Sequence, residues 1–151
     1  MTSSKAILIG SDHAGYALKE QIKSYLTKKA LSFIDAGANH IDHDDDYPVF
    51  ASRVAEQISS GKFEKGIVIC GTGIGASITA NRWKRVRAAL CHNAEMARMS
   101  RLHNDSNVLV LGGRTTPIES AIPIIDAWLE QTFDSGGRHS RRVQQIDDLT
   151  K

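Results

Sequence analysis

Cys70 closes the short apolar run Gly66-Ile67-Val68-Ile69-Cys70 and leads straight into Gly71-Thr72-Gly73-Ile74-Gly75. Three alternate glycines let backbone N–H groups turn inward, and a helix starting at about Ala76 adds the positive end of its dipole. Such a nest suits a phosphate or a developing oxyanion. A tight strand-to-helix turn with no ligand has the same composition. A thiol where strand meets loop can be stabilised as thiolate and serve as base or nucleophile. The position suits an inert buried cysteine equally well. Cys91, in an apolar run with no glycine loop after it, reads as core. Gly71-x-Gly73-x-x-Ala76 also loosely fits a dinucleotide fingerprint. That fingerprint wants an acid about 20 residues on to hold the ribose, and Cys91-His92 stands there instead.

Other polar groups fall at the ends of apolar runs. Asp12 and His13 follow the first of them, where Asp is also a favoured helix cap. His103, in the polar turn Leu102-His103-Asn104-Asp105-Ser106-Asn107, suits acid–base work near neutral pH or a backbone-bonded helix end. Arg114, Arg138, Arg141 and Arg142 have the forked donors that hold phosphates, though an arginine on a helix face is usually just solvated. The loop Asn39-His40-Ile41-Asp42-His43-Asp44-Asp45-Asp46 is rich in ligand types. Its spacing matches no zinc or calcium template, so it reads as a solvated acidic loop and no metal is expected.

A frame has to bring these groups together. Short apolar runs alternate with amphipathic stretches, the pattern of a parallel sheet with crossover helices. Strands are expected at Lys5–Gly10, Leu31–Ala36, Gly66–Cys70, Val86–Cys91 and Asn107–Leu111. Helices are expected at Tyr16–Lys29, through Val54 and Ile58 to near Gly61, from about Ala76, near Ala94–Leu102, and from Pro117 to about Phe133. After Gly136-Gly137 a basic tail, Arg138–Lys151, has the makings of a last short helix. The reading is an α/β fold, a three-layer Rossmann-like sandwich with a five-stranded parallel sheet. It forms one domain over 1–151 with a C-terminal basic tail from about 134.

The 151 residues are enough for one such core, with 41% hydrophobic and 24% charged residues. A formal charge of +2 gives no case for nucleic acid or an anionic membrane. No apolar run approaches the ~20 residues of a spanning helix. Met1–Lys5 runs directly into Ala6-Ile7-Leu8-Ile9, too short for a signal-peptide core, and two cysteines make no disulfide framework. A cytoplasmic protein is expected.

Taken in order, several segments resemble the type-B ribose-5-phosphate isomerases, a family that also includes allose-6-phosphate and galactose-6-phosphate isomerases. They are Gly10-Ser11-Asp12-His13-Ala14-Gly15, Asp46-Tyr47-Pro48, Cys70 to Gly75, Ala80-Asn81, Arg87-Ala88, His103-Asn104-Asp105, Gly113-Arg114 and Gly137-Arg138-His139-x-x-Arg142-Val143. The resemblance implies that Cys70 moves a proton between C1 and C2 of a sugar phosphate. Thr72 and the loop amides Gly71, Gly73, Ile74 and Gly75 would stabilise the enediolate. His103 would help open the sugar ring, and Asp12 and Asn104 would hold substrate oxygens. His13, Arg114, Arg138 and Arg142 would grip the phosphate. One branch of the family puts a glutamate just after the loop in place of the cysteine; here Ala76 stands there and the cysteine is present. Trp83-Lys84-Arg85-Val86 departs from the Pro-Gly turn common before the fourth strand. The resemblance also implies a homodimer, or a dimer of dimers, with sites shared across the interface and no cofactor.

Two other functions compete. A non-catalytic sugar-phosphate or nucleotide sensor on the same fold would keep the loop and the arginines but need neither Cys70 nor His103. A thiol redox protein would need a Cys-x-x-Cys or a resolving partner, and the sequence has neither.

Overall fold

The chain, seen in a computed structural model that describes residues 2–150, builds one five-stranded sheet flanked by six helices. The strands are β1 (Ile7–Ser11), β2 (Phe33–Asp35), β3 (Gly66–Cys70), β4 (Ala88–Leu90) and β5 (Val108–Gly112). The helices are α1 (His13–Lys28), α2 (Tyr47–Ser59), α3 (Ile74–Ala80), α4 (Ala94–Asn104), α5 (Ile118–Glu130) and α6 (Gly137–Asp148). The strand order is β2-β1-β3-β5-β4, and every pair is parallel. β3 and β5 are buried along their whole length, as near-continuous apolar runs should be in a covered sheet.

Side chains alternate between two cores, as the period of two in a strand requires. Ile9, Ile67, Ile69, Leu109 and Leu111 pack on one face with Leu18, Ile22 and Leu26 of α1 and Ile124, Ile125 and Trp128 of α5. Leu8, Val68, Val108 and Val110 pack on the other with Val54 and Ile58 of α2 and Ala76 and Ala80 of α3. The expected three-layer α/β sandwich is what the chain forms. No helix among the described residues is long and apolar enough to cross a membrane.

Several boundaries differ from the sequence expectation, each for a local reason. α1 starts at His13 rather than Tyr16 because the Asp12 carboxylate caps it, accepting the Gly15 N–H at 3.0 Å. α3 starts at Ile74, two residues early, from Gly73 in the left-handed region. β4 is only three residues at the sheet edge, so Val86 and Cys91 lie just outside it. α4 continues through Asn104 and stops where Asp105 turns left-handed, φ 46°. His103 and Asn104 are therefore the last helical residues and not part of a polar turn. α5 ends at Glu130, short of Phe133. The tail forms a twelve-residue helix with no buried residue.

α1 ends without the glycine that usually marks such a stop. Ala30, with φ 56°, donates to the Thr27 carbonyl while Leu31 donates to Leu26, the paired closing bonds of a Schellman motif. A Cβ in this conformation costs about 1 kcal/mol. Ala30 is exposed. Ala30→Gly is therefore expected to stabilise the fold by about that amount, raising Tm by roughly 2–4 °C. A thermal melt that shows no rise would mean the strain is relieved elsewhere.

One buried charge bears on the site. Lys19 on α1 is fully buried, and its Nζ donates to both Asp35 oxygens at 2.7 and 2.9 Å and to the Ala38 carbonyl at 2.5 Å. Burial alone would raise the Asp35 carboxyl. Hydrogen bonds from Lys19, Lys23 and the Gly37 N–H outweigh it and hold the group below the usual carboxylate range. The ammonium thus pins the root of the loop 37–46 to α1, which fixes where that loop can reach.

Candidate active site

Three strand ends lie flush at the carboxyl edge of the sheet, because Ser11 is in register with Ile69 and Cys70 with Gly112. Ligand sites in open parallel sheets form beyond this edge. A cleft of about 550 Å³ opens there, lined by Asp12, His13 and Ala14 from the β1–α1 junction, Cys70 to Thr72, Ile74, Gly75 and Ile78 from β3 and α3, and Arg114 after β5. Asp45, Asp46 and Tyr47 complete it from the end of the acidic loop and the first turn of α2.

Cys70 sits at the inner edge of this cleft, 3% exposed, and its Sγ accepts the Gly73 N–H at 3.2 Å. That donor exists because Gly73 is left-handed, φ 81°; a Cβ at this position would meet Leu90 Cδ1 at 2.5 Å. Thr72 is exposed, and its Oγ1 accepts the Ile74 N–H at 3.3 Å. Two amides of the loop are thus engaged within it, one by sulfur and one by a hydroxyl. Gly75 serves a different end: a Cβ there would run into the Tyr47 ring, so the glycine lets Tyr47 close over the loop. Gly113 and Arg114 donate their backbone N–H groups to the carbonyls of Cys70 and Gly71 at 2.7 and 2.9 Å, tying the exit of β5 to the same turn.

Cys91 lies apart from this cleft, 1% exposed and in the core beneath α4 and α5. Burial pushes its thiol up to about 11, although a hydrogen bond with Ser100 works the other way. An inert core cysteine is the chemistry that follows.

The acidic loop is not wholly solvated. Asn39 to Asp44 are exposed, but Asp45 folds inward until its side chain is only 9% accessible. Its Oδ1 accepts both the backbone N–H of His13, at 3.1 Å, and a ring bond with His13 Nδ1 at 2.6 Å. Asp12, His13 and Asp45 bring ligand-type atoms within 4.8 Å of one another, the one such group of three among the described residues. The short bond makes its centre a carboxylate–imidazole pair.

The other expected site residues lie elsewhere. α4 leaves the carboxyl end of β4 and runs back, so His103 and Asn104 at its end sit near the amino end of β5, at the opposite edge of the sheet from Cys70. α6 packs on α4 there, and the His103 and His139 rings stack with centroids 4.3 Å apart and planes 12° from parallel. Arg138 neighbours His139 and Arg142 follows one turn on. Desolvation against α4 pushes His139 below the usual imidazole range, and the charges of His103, Arg138 and Arg142 add to this while Asp134 opposes it. Neither Arg138 nor Arg142 makes an ion pair among the described residues. The tail is moored instead by Arg87, whose Nη1 donates to both Asp147 oxygens at 2.9 Å.

The expected residues therefore form two groups. Asp12, His13, Cys70, Gly71, Thr72, Ile74, Gly75 and Arg114 line one cleft, with Gly73 as donor to the thiol. His103, Asn104, Arg138 and Arg142 belong to a basic patch at the far edge. Tyr47, Asp45 and His139 are the neighbours that sequence reasoning gave no role. Tyr47 had a signal in the Asp46-Tyr47-Pro48 segment; Asp45 stood among four consecutive-region acids with nothing to single it out.

An open parallel α/β sheet with a thiol, a glycine turn and basic groups beyond its strand ends defines a small-molecule site of the enzyme kind. The sequence pattern of the Ribose/Galactose Isomerase family matches residues 7–146, and the chain belongs to that family. It is 43% identical over 142 residues to "Ribose-5-phosphate isomerase B" of Escherichia coli, a match covering 94% of each chain. The ribose-5-phosphate isomerase B structure from Clostridium thermocellum superimposes with a TM-score of 0.90 at 49% identity, covering 95% of this chain and 96% of that one. The Mycoplasma genitalium enzyme, solved with bound ribulose-5-phosphate, gives 0.91 at 40% identity and 97% of each.

Proposed function

We propose that the chain interconverts ribose 5-phosphate and ribulose 5-phosphate through an enediolate, with Cys70 as the base and no metal. The observation that carries this reading is the Cys70 sulfur at the inner edge of the cleft with the Gly73 N–H directed at it. Isomerisation needs a base beside the carbon acid and donors near the oxygen that becomes negative. Cys70 takes the C2 proton of the open-chain aldose, the electron pair moves into the C1–C2 bond, and O1 gains the charge. A proton passes from O2 to O1, and as the thiol returns its proton to C1 the electron pair on O2 forms the C2 carbonyl of the ketose. Thr72 and the remaining loop amides face the charged oxygens, while Asp12 holds a sugar hydroxyl. The names of the relatives support the five-carbon substrate, and the family's breadth keeps a six-carbon sugar phosphate as the second reading.

The basic patch completes the reading only if a second copy presents it. A homodimer that sets the α4–α6 edge of one protomer over the cleft of the other supplies His103 for ring opening and Arg138 and Arg142 for the phosphate. Ile74 and Ile78, 56% and 59% exposed on α3 beside the cleft, suit coverage by such a partner. In this arrangement the chain acts as a single isomerase domain whose C-terminal tail belongs to the neighbour's site.

Purified protein is expected to turn over ribose 5-phosphate in preference to allose or galactose 6-phosphate, and to do so equally after exhaustive chelation. The polarising groups in this mechanism are amides and Thr72, so no cation is required. Activity lost on chelation and restored by a divalent ion would overturn the metal-free mechanism. Preference for a six-carbon sugar would overturn the substrate assignment alone.

A further inference from the structure

We infer that Asp45 is a positioning residue for substrate binding: its carboxylate fixes the His13 ring with Nδ1 turned inward, leaving Nε2 as the atom offered to the substrate. The inference rests on the proposed isomerase function, with His13 in the phosphate-gripping role that the family resemblance implies, and adds what makes that histidine competent. Asp45 reaches His13 twice through one oxygen, at 3.1 Å to the backbone N–H and 2.6 Å to Nδ1. The first bond sets the carboxylate at the first turn of α1, where the helix end favours an anion. The second sets the ring. Which nitrogen of a histidine carries its proton is decided by the bond the other makes, and a carboxylate can only accept, so the Nδ1 position must hold the hydrogen. Nε2 is then the nitrogen left to meet a ligand in the cleft that both residues line.

The surroundings leave no other candidate for this role. Asp12, the other acid at the junction, spends Oδ1 on the Gly15 N–H as helix cap. His43 approaches the His13 ring edge-on with centroids 5.4 Å apart, a packing contact on the ring's flank. Arg114 lines the same cleft and its guanidinium lies against Gly71. The loop is held within reach by Lys19 on the Ala38 carbonyl, so Asp45 arrives from a root fixed by a buried ammonium. Its second oxygen is buried with no hydrogen-bond partner among the described residues, so the two bonds to His13 are the hydrogen bonds this carboxylate makes there. A side chain desolvated to this degree on behalf of one imidazole acts through that imidazole.

The test compares Asp45→Ala, Asp45→Asn and His13→Ala in full-length protein, each first confirmed folded by thermal melt. Asp45→Ala is expected to raise both KM and the inhibition constant of inorganic phosphate about tenfold, the lower end of what losing the carboxylate behind a metal-bound histidine costs, with kcat changed far less. Asp45→Asn keeps an acceptor oxygen in place and is expected to recover most of the loss. Nitrogen NMR of the neutral His13 ring is expected to show the proton on Nδ1 in wild type and its redistribution in Asp45→Ala. Unchanged KM and phosphate inhibition in Asp45→Ala, beside a large loss in His13→Ala, would overturn this inference and leave the phosphate role of His13 standing. No loss in His13→Ala would overturn that role and this inference with it. A ring tautomer unmoved by Asp45→Ala would overturn the inference whatever the kinetics.

Discussion

Cys70→Ala is expected to fold as wild type and to lose about 10²- to 10⁴-fold in turnover, the range for removing a positioned general base. The structural cost is small. The side chain is short, alanine fills most of its space in the core shared with α2 and α3, and one unbonded Gly73 N–H remains. A thermal melt should therefore drop by only a few degrees while the isomerase assay collapses, and that separation is what identifies the base. Cys91→Ala is the control, since its thiol is deep in the other core and held protonated by burial. Cys91→Ala should keep near-full turnover at some expense in stability. Wild-type-like turnover in Cys70→Ala would remove the cysteine mechanism. A collapse in Cys91→Ala with its fold intact would place the chemistry on the wrong thiol.

Which parts of this were readable in the sequence follows from the range of the interactions involved. Gly66–Cys70 and Asn107–Leu111 announce buried parallel strands because burial on both faces demands unbroken apolar runs. The turn after Cys70 is equally local: chain direction, glycine spacing and the thiol are contained within six residues. The apolar pattern starts α1 three residues late because Asp12 caps it, and cap and site residue are equally allowed uses of one aspartate. Its end is legible to within one residue, Lys29 against Lys28, although Ala30 closes a Schellman motif that ordinarily advertises itself with glycine. Nothing in the sequence around Lys19 marks it for burial, and only the partners supplied by β2 and the loop explain it. Asp45 is the extreme case. Its bond to His13 spans 32 residues, and nothing in a run of aspartates says which will turn inward. The separation of His103, Asn104, Arg138 and Arg142 from Cys70 was likewise a matter of helix direction, because α4 carries its last residues to the other edge of the sheet.

Arg142→Ala is expected to raise KM by about 10- to 100-fold, the 1.5–3 kcal/mol of a hydrogen bond to a charged group. Arg138 and Arg142 lie one turn apart on α6, so both forks can converge on one phosphate. kcat should fall as well, because contacts to the phosphate also orient the reacting carbons. Arg141→Ala, off that face, should change KM less than about twofold, as surface charges away from a ligand usually do. Equal, small effects from both substitutions would make α6 a charged surface and nothing more. The same variant tests where the phosphate site is. Within one chain the α6 patch and Cys70 lie at opposite edges of the sheet, so each site of a homodimer would draw the thiol from one protomer and the arginine from its partner. Dimers of Cys70→Ala mixed and reassembled with dimers of Arg142→Ala would then contain heterodimers with one wholly intact site and one doubly defective site. Random reassembly makes half the dimers heterodimeric, and activity at low substrate should recover to about a quarter of wild type from two nearly inactive parents. If thiol and arginine served the same site from the same chain, every site in the mixture would carry one defect and nothing would recover.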